Sequence, residues 1–336
     1  MIFLPRAVAP QAVKVGAVLP LSGPAAVFGE DARNGLLMAA EEINAKGKVN
    51  ITLIIEDGQA DAKTSIAAFN KLTDIDDAKI ALTFVSGIAL ALKPLAKEKG
   101  ILFFADASHP NITDTENPLV FRHSQLGDQE ATLLFQKAKD LKAKNIGALL
   151  INDDYSYVFL DEFTAQAEQA NITLNHELFE KSATDVRTQL TKLMAAKPDT
   201  IILVGYSPLI ATAVKTLKEI AFKGNIIASF GFSSFAPAAG EAAKDIYYTE
   251  FKLIGSEKAK SFEDSYTERY GRKPSVTADL FYEDLLLTSS AIEAVGSDPV
   301  KLADYIRELK TFDVGIEVLT ISNQDILPEI EIRQWK

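Results

Sequence analysis

The 336-residue chain has no cysteine, three histidines, three methionines and one tryptophan. Without cysteine there is no thiol nucleophile, no thiolate metal site and no disulfide. His109, His123 and His176 are scattered and show no metal-ligand spacing. No stretch reaches the roughly 18 apolar residues of a membrane span. Also missing are a Gly-x-Gly-x-x-Gly turn after a strand, a phosphate loop ending Gly-Lys-Ser/Thr, a His-Glu-x-x-His pair and a Gly-x-Ser-x-Gly elbow. Paired acids such as Asp153-Asp154 read as solvated loop residues. No catalytic residue, metal ligand or cofactor is therefore expected, and the chain reads as a non-enzyme. An excess of basic residues is lacking too. The 35 Lys and Arg against 46 Asp and Glu leave a formal charge of -11, which argues against nucleic acid or anionic lipid as partners.

What is present is ordinary for a globular protein: 47% hydrophobic and 24% charged residues, enough for two domains with sound cores. Strand-length apolar runs recur at Val13–Leu19, Ile51–Glu56, Ile80–Val85 and Ile101–Ala105, as expected of a parallel sheet buried on both faces. Between them, Ala32, Leu36, Ala39 and Ile43, then Ala62, Ile66, Phe69 and Leu72, share helix faces. The alternation predicts a βαβ sheet with right-handed crossovers. The pattern then repeats, with strands at Ile146–Ile151, Ile172–Phe179, Thr200–Val204 and Ile226–Phe230. Helices are expected over Glu130–Leu141, Val158–Asn171, Val186–Ala196 and Leu209–Ala221. Val120-Phe121-Arg122 reads as a short linking strand. After Ile246–Phe251 come helices over Ala259–Tyr270, Val276–Ala294 and Val300–Leu309, then strands at Glu317–Ile321 and Glu329–Gln334. Two similar series predict two similar lobes. Open parallel sheets bind ligands beyond the carboxyl ends of their strands, so the cleft between the lobes is the expected site.

The segment Leu19-Pro20-Leu21-Ser22-Gly23-Pro24 through Gly47 resembles the start of solute-binding proteins of the branched-chain amino acid transporter family. Ile101–Thr113, Leu203-Val204-Gly205-Tyr206-Ser207-Pro208 and Tyr282-Glu283-Asp284 add to the likeness, which extends from about Val13 to the C-terminus. The resemblance implies an α/β fold of two Rossmann-like lobes with parallel sheets, joined by a three-crossover hinge (the type I periplasmic binding protein fold). Lobe 1 is expected to span 13–123 plus 253–325, and lobe 2 124–252 plus 326–336. Crossovers would fall near Arg122, Phe251 and Gln324–Leu327. Residues 1–12 read as a leader or tag remnant. The implied function is an extracytoplasmic binding component of an ABC importer that closes around a small ligand. It would be periplasmic, or extracellular and membrane-anchored, and monomeric. Its partners would be a carboxylate or amino acid and an ABC-type membrane permease. A cytoplasmic small-molecule sensor of the same fold is the alternative. A sugar-responsive repressor of the same fold is not expected, because such proteins carry an N-terminal helix-turn-helix and Met1–Ala12 is too short for one.

The resemblance assigns carboxylate donors to the hydroxyls of Ser86 and Ser108 and to the backbone N–H of Ala107, with Gly87 beside them. Serines at such positions also cap helices. Phe28, Tyr157 and Tyr206 match aromatic walls of the family site, although Val158 stands where the family has Gly after Tyr157. His109, beside Ser108, is a candidate donor. Amino acid binders of this family place an acid after the strand that matches Ile226–Phe230, to pair the ligand ammonium. Here the matching residue is Gly231, within Phe230-Gly231-Phe232-Ser233-Ser234-Phe235, and no Asp or Glu occurs between Gly224 and Gly240. Asp128, Asp153 or Asp154 is left to supply the charge. Otherwise the ligand is an aromatic or aliphatic acid without an amine.

Overall fold

The computed structural model describes residues 12–252 and 257–336. The expected leader at 1–12 lies outside them but for its last residue. A first series runs β1 (Ala12–Leu19), α1 (Ala26–Lys46), β2 (Asn50–Asp57), α2 (Ala62–Asn70), β3 (Ile80–Phe84), α3 (Ser86–Lys99), β4 (Leu102–Asp106) and β5 (Val120–His123). A second runs α4 (Gly127–Asp140), β6 (Asn145–Ile151), α5 (Asp154–Ala170), β7 (Thr173–Phe179), α6 (Arg187–Ala195), β8 (Thr200–Val204), α7 (Leu209–Glu219), β9 (Asn225–Ala228), α8 (Phe232–Ala239) and β10 (Tyr247–Phe251). The chain ends with α9 (Glu257–Tyr270), α10 (Val276–Val295), α11 (Pro299–Glu308), β11 (Thr311–Asp313), β12 (Val318–Ser322), β13 (Asp325–Ile326) and β14 (Ile330–Gln334).

These elements form two α/β lobes. One sheet has the order β11-β12-β13-β5-β4-β3-β1-β2 and the other β14-β10-β9-β8-β6-β7. The first five strands of each series are parallel, and in both the second strand lies outside the first with the third on its other side. Strand order therefore reverses between β1 and β3 in one lobe and between β6 and β8 in the other. The carboxyl ends of those strand pairs are where a doubly wound sheet leaves a crevice. The chain passes between sheets three times: after His123, after Phe251 and between Ile326 and Ile330. The second passage includes residues 253–256, outside the described ones. Ile326, expected in lobe 2, instead pairs with His123 in the first sheet.

The apolar runs of β1, β3, β4 and β8 are buried as their composition predicts. Side chains alternate across each strand. In β4, Phe103 and Ala105 join the core shared with α2 and α3, while Leu102 and Phe104 join the core under α1 and α10. Helix α1 stops where Gly47 takes the left-handed conformation, φ 70°. Helix α5 begins four residues before the expected Val158, because Asp153 caps it by accepting from the Ser156 N–H at 3.2 Å. The strand expected to run to Phe230 ends at Ala228, and the Phe-rich stretch beyond it is helical. It is the short helix α8, started by Gly231 at φ 88°.

Candidate ligand-binding site

The two switch points face each other across a cavity of about 40 Å³. Five rings line it: Phe28 and Phe84 from the first lobe, and Tyr155, Tyr206 and Phe230 from the second. Polar residues of the wall include Ser86, Ser108, Ser124 and Gln125. A void this size holds a few waters. A six-membered ring enters only if the lobes part or Phe28 swings aside. Phe28 is the bridging side chain: its ring is 5.8 Å from Phe84 and 5.6 Å, edge-on, from Phe235 of the other lobe. Phe232 points away and packs on Tyr248 and Trp335 in the core.

The polar end of the cavity is built at the β3–α3 junction. Val85 sits at φ 79°, a conformation a β-branched residue rarely adopts, and it lines the wall. That turn starts α3 at Ser86, whose hydroxyl oxygen is buried without a hydrogen-bond partner. The amides at the start of a helix have no acceptor inside it, so the N-terminus carries partial positive charge. Hydroxyl and amides together form a place for an anionic oxygen. Gly87 faces the other lobe, where the exposed Asp154 carboxylate would stand 2.7 Å from a Cβ and would have to turn aside for one.

The remaining sequence candidates fall into two groups. Ser108 lines the cavity, and its carbonyl accepts from the Gly127 N–H at 2.9 Å. Tyr206 lines it with its hydroxyl donated to Asp153, and burial pushes the Tyr206 phenol well above its ordinary value. Gly231 abuts the Phe28 ring, where a Cβ would meet it at 3.0 Å. Ala107 lines the wall, but its N–H is already donated to Ala105 O at 2.9 Å. His109 does not line the cavity. Its Nδ1 accepts from the Asn111 N–H at 3.1 Å, capping the turn at 110–112, and burial lowers its pKa. Asp128 stands in the first turn of α4, away from the wall, bonded to the Gln129 N–H. Tyr157 is 40% exposed and donates to Asn152 outside the cavity. Tyr155 takes the place expected of it. Its ring lies 5.8 Å from Tyr206 and its hydroxyl is buried beside Ser229. The early start of α5 explains the exchange, because it turns Tyr155 inward and Tyr157 to solvent. A capping Asp three residues before Ser156 was the available signal.

At the Gly231 edge Glu250 is buried beside Ser233 and accepts from the Phe251 N–H at 3.3 Å, outside the cavity wall. Asp153 is occupied by Tyr206 and faces Lys181 at 3.6 Å, while Asp154 is exposed. Glu130, behind Phe230, has its oxygens taken by the Phe230 N–H, Thr249 and Gln125 at 2.6–2.8 Å. Asp106 belongs to the wall residues. By the alternation of β4 its side chain shares the face of Leu102 and Phe104, toward α10 and away from the cavity.

The profile of the family described as "Periplasmic binding protein" matches residues 12–326. The chain belongs to that family. Among curated relatives the matched stretch covers from 65% to 91% of the relative's length. The leucine-, isoleucine-, valine-, threonine- and alanine-binding protein of Pseudomonas aeruginosa is 24% identical over 330 residues, 94% of this chain and 88% of that one. The LivJ substrate-binding protein of Streptococcus pneumoniae, solved with isoleucine, superposes with a TM-score of 0.86 at 21% identity, covering 97% of each chain. A solute-binding protein of Rhodopseudomonas palustris, solved with benzoate, gives 0.88 at 19% identity, covering 97% of this chain and 94% of that one. The likeness to solved structures is one of fold, and it is the two-lobed fold expected from the sequence. These relatives of the family member are solute-binding proteins rather than enzymes. Among the described residues no helix is long and apolar enough to cross a membrane.

Proposed function

We propose that this chain is the extracytoplasmic solute-binding component of an ABC-type importer, and that its ligand is a small aromatic or branched aliphatic carboxylate without an amine. The two sheets with their helices act as monomeric lobes that close on the ligand, and contacts from both sides shift the population toward the closed form. The carboxylate sits at the N-terminus of α3, against Ser86 and Ser108. The apolar body lies among Phe28, Tyr155, Tyr206 and Phe230.

The observation that carries this reading is the chemistry of the wall. Five rings and a partnerless serine hydroxyl at a helix N-terminus line it, while Glu130 and Glu250, the buried acids beside Phe230 and Ser233, already accept hydrogen bonds and are not among the lining residues. A buried ammonium would be left without a counter-charge. The fold shared with a benzoate-bound protein is consistent with it. The second reading, a branched-chain amino acid, is favoured by the names of the curated relatives.

Isothermal titration of paired ligands separates the two: benzoate beside phenylalanine, and 4-methylpentanoate beside leucine. The proposal expects heat from the amine-free member of a pair and none from the amino acid. Binding of leucine or phenylalanine alone overturns it in favour of the second reading. Binding of none of the four removes the small-carboxylate assignment itself.

A further inference from the structure

A cluster of titratable groups lies on the α10 face of the first lobe, and its Asp106 is also a residue of the cavity wall. Asp106 ends β4, His123 ends β5, and Asp284 sits in α10. All three are buried, none more than 1% exposed. One ligand atom from each comes within 4.8 Å of the others. The His123 Nδ1 is 2.8 Å from Asp284 Oδ1. Both oxygens of Asp106 and the second oxygen of Asp284 are buried with no hydrogen-bond partner. On the far side of the imidazole, Nε2 faces Glu283 Oε2 at 3.5 Å, and Glu317 stands beside Glu283.

We propose that Asp106, His123 and Asp284 form a site for one divalent transition-metal ion of the zinc or manganese class, built into the first lobe beneath the ligand cavity. The argument starts from charge. The side chains around the imidazole are acids, Asp106 and Asp284 toward Nδ1 and Glu283 and Glu317 toward Nε2, and three carboxylate oxygens of Asp106 and Asp284 have no hydrogen-bond partner. Buried carboxylates without partners are costly, and a cation removes that cost. The donor set is two carboxylates and one imidazole, which suits zinc or manganese better than calcium or magnesium. Metal–ligand bonds of about 2.0–2.2 Å in a tetrahedral site set ligand atoms roughly 3.4 Å apart, so the His123–Asp284 pair at 2.8 Å must part slightly to admit the ion, while no ligand atom stands more than 4.8 Å from the others. The imidazole would bind through Nδ1, leaving its Nε2 facing Glu283 Oε2 at 3.5 Å, the side on which metal-bound histidines commonly have an outer carboxylate partner. The ion ties three segments together. They are the end of β4, from which Ala107 and Ser108 follow, the last residue before the first passage between lobes, and α10. The inference does not depend on which solute the cavity takes.

The test uses the whole chain, stripped with a chelator and dialysed. Zinc and manganese are titrated by calorimetry, and melting is followed with and without metal. The expected result is one equivalent bound, a raised melting temperature, and selective perturbation of one of the three histidine ring signals in the NMR spectrum. Asp284→Asn and Asp106→Asn should each weaken binding at least about tenfold. Either is sufficient if the other does not fold, and the wild-type stoichiometry with the histidine signal decides if neither does. No metal response in the wild type, with Asp284→Asn melting higher than wild type, means the cluster only holds protons and overturns the proposal. A response that persists unchanged in the folded variants places the metal on surface acids and overturns it equally.

Discussion

Two buried carboxylates, one in each lobe, meet opposite surroundings. Glu130 in α4 accepts from the Phe230 N–H at 2.7 Å, from Thr249 at 2.6 Å and from Gln125 at 2.8 Å. Asp106 at the end of β4 accepts from nothing and faces another acid across the α10 interface. Burial raises the pKa of both, but the donors around Glu130 work against the rise, whereas Asp284 and Glu283 add to it around Asp106. A satisfied acid of this kind holds its surroundings in place: Glu130 fixes the backbone that presents Phe230 to the cavity. An unsatisfied one lowers stability until a proton or cation arrives.

The sharpest way to break the comparison is to remove both acids. Glu130→Ala leaves three buried donors without an acceptor and should lower stability by about 3 kcal/mol or more. Asp106→Asn removes only an uncompensated group and should leave the metal-free protein as stable or more so. Urea unfolding of the two variants side by side decides it, and equal losses would refute the contrast.

A third acid, the half-buried Asp279 with one oxygen buried and unpartnered, extends the contrast to pH. Burial pushes Asp279 up from 3.8 to about 8, with Glu317 and Glu263 adding to the rise. Between those values the folded protein holds a proton that the unfolded chain has released, so this group makes stability fall as pH rises from about 4 to about 8. Asp279→Asn should flatten that part of the stability profile, measured as urea midpoints across pH.

Within the cavity the two walls can be compared in the same way. Ser86→Ala takes away a hydroxyl from the polar end and should weaken carboxylate binding by about 1–3 kcal/mol, read by calorimetry. Gly231→Ala acts on the apolar edge, forcing a side chain into φ 88° and against Phe28. It should cost about 1–2 kcal/mol of stability, and small-angle scattering should show less closure with ligand. The smallest effect is expected for Tyr157→Phe, which should leave the ligand dissociation constant unchanged, because that hydroxyl meets only Asn152.

Much of this was readable before any coordinates. The unbroken apolar runs of β1, β3, β4 and β8 marked a parallel sheet, and their repetition marked two lobes. The turns after them converge on the cavity, and Phe28, Ser86, Ser108 and Tyr206 line it. The misplacements trace to local geometry that apolar periodicity does not report. Asp153 caps α5 four residues early, which exchanges Tyr157 for Tyr155. Gly231 starts α8, which sends Phe232 into the core and Phe235 to Phe28. Short edge strands such as β11 and β13 carry too few residues to show a period.

The order and type of the elements, the two-lobed plan and the absence of thiol chemistry were determined by the sequence itself. They depend on residue type and local spacing, which a linear chain displays directly. The tertiary structure alone decided which atoms are left without partners. Asp106, His123 and Asp284 are separated by 17 and 161 positions along the chain, and no spacing rule joins them. Only the pairing of β4 with β5 and the packing of α10 beneath them bring the three together, because burial and hydrogen-bond satisfaction are properties of neighbours in space.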